Sequence, residues 1–135
     1  MNIEQVFEKL HEGAQGIGAI NCSKEVINNI LKGKGEVKTA YLEIQMDPNK
    51  FTIWIATEKT IEKLIYDYPN VNVQTIQLKD IVDFRKEYEL TGDGRPGKEH
   101  ILKKIQFTSN GEKEEIVRPE YDEDQKRYQE FGNIL

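Results

Sequence analysis

Cysteine is almost absent from this 135-residue chain: Cys22 stands alone, so no intramolecular disulfide can form and the covalent staples of small secreted domains are excluded. A reducing compartment is expected. Histidine is scarce as well, with only His11 and His100. Neither has a second His, a Cys or a carboxylate at metal-ligand spacing, and Glu8 and Glu12 are ordinary polar-face neighbours of His11 on a helix, so no metal site and no cofactor is expected. Long apolar runs are lacking too. No segment approaches the ~20 apolar residues that span a bilayer, and Met1–Phe7 shows no basic region followed by an apolar core, so the reading is a cytoplasmic protein without membrane insertion. Positive charge is in the minority: 24 acidic against 19 basic residues give a net charge of -5. That leaves no bulk field to draw nucleic acid or an anionic membrane, and a neutral or basic protein is the expected partner.

What is present suits a folded domain. The chain is 37% hydrophobic and 32% charged, and a chain of this length buries about two-thirds of its unfolded surface. A single domain is expected, with a helical segment over 1–35 and an antiparallel sheet with a closing helix over 36–135.

Ile3, Val6, Phe7 and Leu10 recur at helical spacing, with Asn2 as N-cap, Gln5 to bond back to it, and Gly13 as a stop. A second helix is expected from Ser23 through Val26, Ile27, Ile30 and Leu31 to Gly33. Val37–Met46 and Phe51–Ala56 are β-branched and aromatic, and Asp47-Pro48-Asn49-Lys50 between them has turn chemistry, so they form a hairpin. Alternation sets Trp54 opposite the Phe51 face, beneath a helix. The segment 58–68 is ambiguous. Ile61, Leu64, Ile65 and Tyr68 have helical spacing, which favours a helix over 58–67, while a continuing meander would want a strand there. Val71–Gln77 reads as a strand, and Ile81–Leu90, Ile101–Ser109 and Glu112–Arg118 as three more, with Asn110-Gly111 as a tight turn. Asp122 opens a last helix, with Gln125 reaching back and Tyr128, Phe131, Ile134 and Leu135 as its apolar stripe. The class is α+β, an antiparallel sheet or partly open barrel with N-terminal helices and a C-terminal helix packed on the sheet.

Leu78-Lys79-Asp80-Ile81 entering a strand, the Asn110-Gly111 hairpin and the amphipathic helix at the end resemble the second half of bacterial pleckstrin-homology-like domains. The resemblance covers roughly residues 76–135. It implies a seven-stranded barrel plugged at one end by the helix, which requires 58–68 to be a strand, and it implies a small-molecule or lipid-head-group site. Two helices before the first hairpin depart from that pattern. Lipid-binding members use basic residues in an early strand-strand loop, where this chain has Asp47-Pro48-Asn49-Lys50, a difference that argues against phosphoinositide.

Few residues suggest chemistry. Gly13, Gly16 and Gly18 have the spacing G-x-x-G-x-G with no strand before them, and Lys32–Gly35 has no Walker sequence, so both read as flexible joins. Cys22 lacks a positioned base. Glu114-Glu115 and the cluster Glu120, Asp122, Glu123 and Asp124 read as local helix and surface charge, the cluster also as an acidic patch for a basic partner. The aromatics Tyr41, Trp54, Phe84 and Tyr88 read as core, and Tyr66 with Tyr68 as an exposed pair. The loop Thr91–Glu99 with His100 is the best site candidate: Arg95, Lys98 and His100 gather positive or proton-switchable groups on a backbone freed by three glycines. With no catalytic constellation, the expected function is a non-catalytic binding or regulatory domain that meets a protein through a surface, an acidic inhibitor or immunity-type protein being one form. The alternative is the ligand-binding module that the resemblance implies, and an enzyme whose groups converge only in the fold is a third class.

Overall fold

The computed structural model describes residues 1–11, 24–44, 50–90, 100–119 and 122–135. The chain divides into two compact units, Met1–Lys79 and Asp80–Leu135.

The first unit opens with helix α1 (Ile3–His11). Its N-terminus is closed by the expected reciprocal box: the Gln5 amide donates to Asn2 Oδ1, and the Asn2 amide donates to Gln5 Oε1, both at 2.9 Å. Helix α2 (Lys24–Leu31) follows, and Gly33 at φ 76° ends it in the left-handed conformation that a residue without a Cβ adopts at low cost. Ser23 and Gly13 lie outside the described residues.

Four strands then form an antiparallel meander in the order β1 (Val37–Ile44), β2 (Lys50–Thr57), β3 (Thr60–Asp67) and β4 (Asn70–Gln77). Within 58–67, residues 60–67 are therefore strand and 58–59 a bend, not the helix favoured by its spacing. The reason is its neighbour. β2 is buried from Phe51 through Thr57, so its backbone groups on the side away from β1 have no water to bond, and β3 satisfies them along seven registered pairs from Lys50–Asp67 to Ala56–Ile61. A helix of eight or so residues offers only marginal stability against that demand.

Register sorts the side chains. Leu42, Ile53, Leu64 and Val73 stand in one row across the sheet. On this face Ile53 and Leu64 join Ala40, Phe51, Ile55 and Tyr66 in a core with Val6, Phe7 and Leu10 of α1 and Ile27 of α2. Phe51 and Tyr66 stack with centroids 4.5 Å apart. The helices thus lie over the Phe51 face. Trp54, as expected, is on the opposite face, in a row with Tyr41 and Lys63, but not beneath those helices. It is fully buried all the same. Tyr66 and Tyr68 do not form an exposed pair, since Tyr66 is buried against Phe51 and only Tyr68, in the turn before Pro69, faces solvent.

In the second unit β5 (Ile81–Leu90), β6 (His100–Ser109) and β7 (Glu112–Ile116) make a three-stranded antiparallel sheet followed by helix α3 (Asp122–Ile134). Asn110 and Gly111, at φ 51° and 81°, form the two-residue turn whose left-handed residues match the strand twist. Helix α3 packs on β6. Tyr128 and Phe131 are fully buried, and the Tyr128 hydroxyl donates to the Ile116 carbonyl at 2.6 Å, fastening the helix to the last strand. At Gly132 the helix comes so close that a Cβ would run into Leu102 and meet Ile105 Cδ1 at 3.2 Å. Ile134, expected in the buried stripe, is half exposed. The side chains of Asp122, Glu123 and Asp124 lie outside those described.

The architecture is α+β, with two open antiparallel sheets and helices before and after them among the described residues.

Candidate functional site

Of the three residues expected to form a site, Arg95 and Lys98 lie outside the described residues. His100 opens β6, is exposed, pairs with Leu90 across the strands and meets the Tyr88 ring edge-on at 5.0 Å. Cys22, Gly16, Gly18 and Glu120 also fall outside the described residues. His11 is half-buried at the end of α1, its ring 6.2 Å from that of Phe7.

The strand beside His100 holds the most exposed apolar material of the second unit. Val82, Phe84, Tyr88 and Leu90 are 56%, 37%, 41% and 86% exposed. Phe84 and Tyr88 were expected in the core. They are outside it because β5 is an edge strand with β6 as its one neighbour, and α3 packs on β6, leaving the β5 row uncovered.

Two bulges shape that row. Val82 pairs with Thr108 but Arg85 with Gln106, so Asp83 and Phe84 together oppose Phe107 alone, and Asp83 takes a left-handed φ of 52°. Phe84 consequently swings over to stack on Phe107, at 6.2 Å, instead of sharing the face of Val82. Further on, Glu87 pairs with Lys104 and Tyr88 with Leu102, an extra residue on β6 that restores the register. Since Leu102 faces α3 at Gly132, its partner Tyr88 faces the same way, as do Leu90 beyond it and Lys86, whose Nζ lies 5.7 Å from the Phe84 ring centre. The result is a strip of Phe84, Tyr88 and Leu90 that shares its face with Lys86, while Asp83, Glu87 and Glu89 project from the opposite face of the strand.

The other face of this sheet carries a shallow polar depression of about 290 Å³ lined by Asp83, Arg85, Gln106, Thr108, Lys113 and Glu115 among others. Glu115 is already engaged, by Lys104 at 3.2 Å and by the Gln106 amide at 3.4 Å. Arg85 and Lys113 form no ion pair among the described residues. Its cations Arg85 and Lys113 stand among the carboxylates of Asp83, Glu114 and Glu115, so the lining is polar without an excess of positive charge. It contains no nucleophile paired with a base.

A buried carboxylate in the first unit escaped the sequence reading. Glu62 is 0% exposed, held by Lys34 Nζ at 3.2 Å and by the hydroxyls of Thr75 at 2.7 Å and Thr60 at 3.3 Å. The usable signal was a lone Glu between Ile61 and Leu64, legible only once the segment is known to be a strand. It also explains Lys34, which sits between two glycines as an anchor to the sheet and not as part of a phosphate loop. The second buried acid, Glu43, accepts the Trp54 indole N–H at 3.3 Å. These carboxylates are satisfied structural groups. Among the described residues no three His, Cys, Asp or Glu side chains converge as metal ligands.

No protein-family model, no curated protein and no solved structure matches this chain.

Proposed function

We propose that this protein is a non-catalytic binding domain that recognises another protein through the exposed strip on β5. The observation that carries the reading is the row of Phe84, Tyr88 and Leu90, uncovered along an edge strand. Apolar side chains left in water along one strand are the ordinary mark of an interface, and their burial in a partner supplies affinity. The net charge of -5 favours a basic partner and raises the rate of encounter. An acidic inhibitor or immunity-type protein in a reducing cytoplasm is one form of this reading, in keeping with the single cysteine.

Affinity capture from the native cell tests it. The wild type is expected to recover one stoichiometric protein, and Phe84→Asp/Leu90→Asp to lose it with the melting temperature unchanged. Equal recovery by both proteins, or none by either, rejects the reading.

A second reading has support of its own. Seven strands followed by a helix, with 60–67 as strand, is the order that the resemblance to pleckstrin-homology-like domains calls for, and the polar depression lined by Arg85 and Lys113 would give such a domain a site for a small polar ligand. Arg85→Ala/Lys113→Ala would then abolish ligand binding, and Phe84→Asp/Leu90→Asp would not.

A further inference from the structure

The two sheets have four edges, and three of them are guarded. β1 is bulged at Lys38 and buried along most of its length. β5 is bulged at Asp83–Phe84 and carries five charges in ten residues, Asp83, Arg85, Lys86, Glu87 and Glu89. β7 is five residues long, four of them charged. Bulges, charges and shortness are the devices by which sheet edges resist pairing with other chains.

β4 has none of them. Its register with β3 runs unbroken through eight pairs, from Asp67–Asn70 to Thr60–Gln77. From Tyr68 to Leu78 there is no charged residue, in a chain that is 32% charged. Asn70, Asn72, Val73, Thr75 and Gln77 are exposed, so five of the eight positions along this edge face solvent. A regular, uncharged, β-branched edge is a template for one more strand.

We infer that β4 pairs antiparallel with β4 of a second copy of this chain, joining two four-stranded sheets into one. The sequence is self-complementary about Val73. With Val73 opposite Val73, Val71 faces Thr75 and Asn72 faces Gln74, and the same pairs recur across the two-fold axis. β-branched residues then meet on one face of the joined sheet, and on the other the amides of Asn72 and Gln74 meet, with Asn70 opposite Ile76 beyond them. No like charges oppose each other, because the strand has none. Pairing through one two-fold also uses up the open edge, while the bulged and buried β1 at the far side does not propagate it, so the product is a closed dimer and not a fibre. This pairing uses residues other than those of the β5 strip and does not depend on its role.

Sedimentation equilibrium of the intact chain decides the matter. The wild type is expected to approach twice 15.7 kDa as concentration rises. Val73→Lys, which sets two ammonium groups face to face on the axis, is expected to remain at the monomer mass with its circular dichroism unchanged. A register test guards against misfolding of that variant. Asn72→Lys/Gln74→Glu places opposite charges across the axis and is expected to dimerise more tightly than the wild type, whereas Asn72→Lys/Gln74→Lys is expected to be monomeric. A wild type that stays monomeric at every concentration overturns the inference and leaves the edge to a strand of some other protein. So does a dimer that these two charge pairs affect alike.

Discussion

Replacing Lys34 by Met strips the Glu62 carboxylate of its counter-charge while leaving two hydroxyls to hold it. An uncompensated buried charge is costly, but Lys34 itself is 26% exposed and part of its charge is screened, so the expected loss is about 1–3 kcal/mol in urea unfolding. Removing both ends, as Lys34→Met/Glu62→Leu, is expected to cost less than the single change, because no charge is then stranded in the interior. Tyr128 is the corresponding residue of the second unit. Tyr128→Phe keeps the ring packing and removes the bond to the Ile116 carbonyl, and a buried acceptor left without its donor costs about 1–3 kcal/mol. A thermal midpoint equal to that of the wild type would show that this bond contributes nothing net. Neither Glu62 nor Tyr128 acquires its meaning from its immediate neighbours in the chain. Glu62 was passed over because a helix there would have put it on a polar face, whereas in a strand it shares the face of Leu64 and Tyr66.

Elements whose residues agree with their surroundings were readable in advance. α1 carries its capping pair and its apolar spacing within the same nine residues, and the β6–β7 hairpin carries Asn110-Gly111 where both turn positions need φ above zero. β3 shows the opposite case. Its spacing suits a helix, and only the unmet hydrogen bonds of β2 select the strand. β5 misled in a different way. Val82, Phe84 and Tyr88 look like a buried alternation, but the bulge at Asp83–Phe84 sends Val82 to the other face and the edge position leaves the row in water. A bulge at Asp83 has no glycine to announce it, and strand order is a property of the sheet that no one strand contains. Gly132, within a helix, likewise reads as a weakness until Leu102 and Ile105 are found against it.

For the molecule as a whole, charge is the property that acts at a distance. If the β5 strip meets a basic protein, association with the captured partner is expected to slow as salt is raised from low to physiological ionic strength, with a smaller change in dissociation, since surface charge steers encounter over a Debye length of roughly 10 Å. Stopped-flow or surface-binding kinetics at two salt concentrations would measure it, and an association rate indifferent to salt would contradict the role given to the chain's net negative charge. The sequence by itself determined the α+β class, the capped first helix, the Asn110-Gly111 hairpin, the closing helix and the acidic balance, all of which follow from composition and from interactions a few residues apart. Tertiary structure alone decided that 60–67 is a strand, that Glu62 is buried beside Lys34, that the aromatics of β5 lie outside the core, and that β4 is an unguarded edge. Each of those depends on which strands are neighbours and which faces are covered, and burial and edge position belong to pairs of elements far apart in the chain.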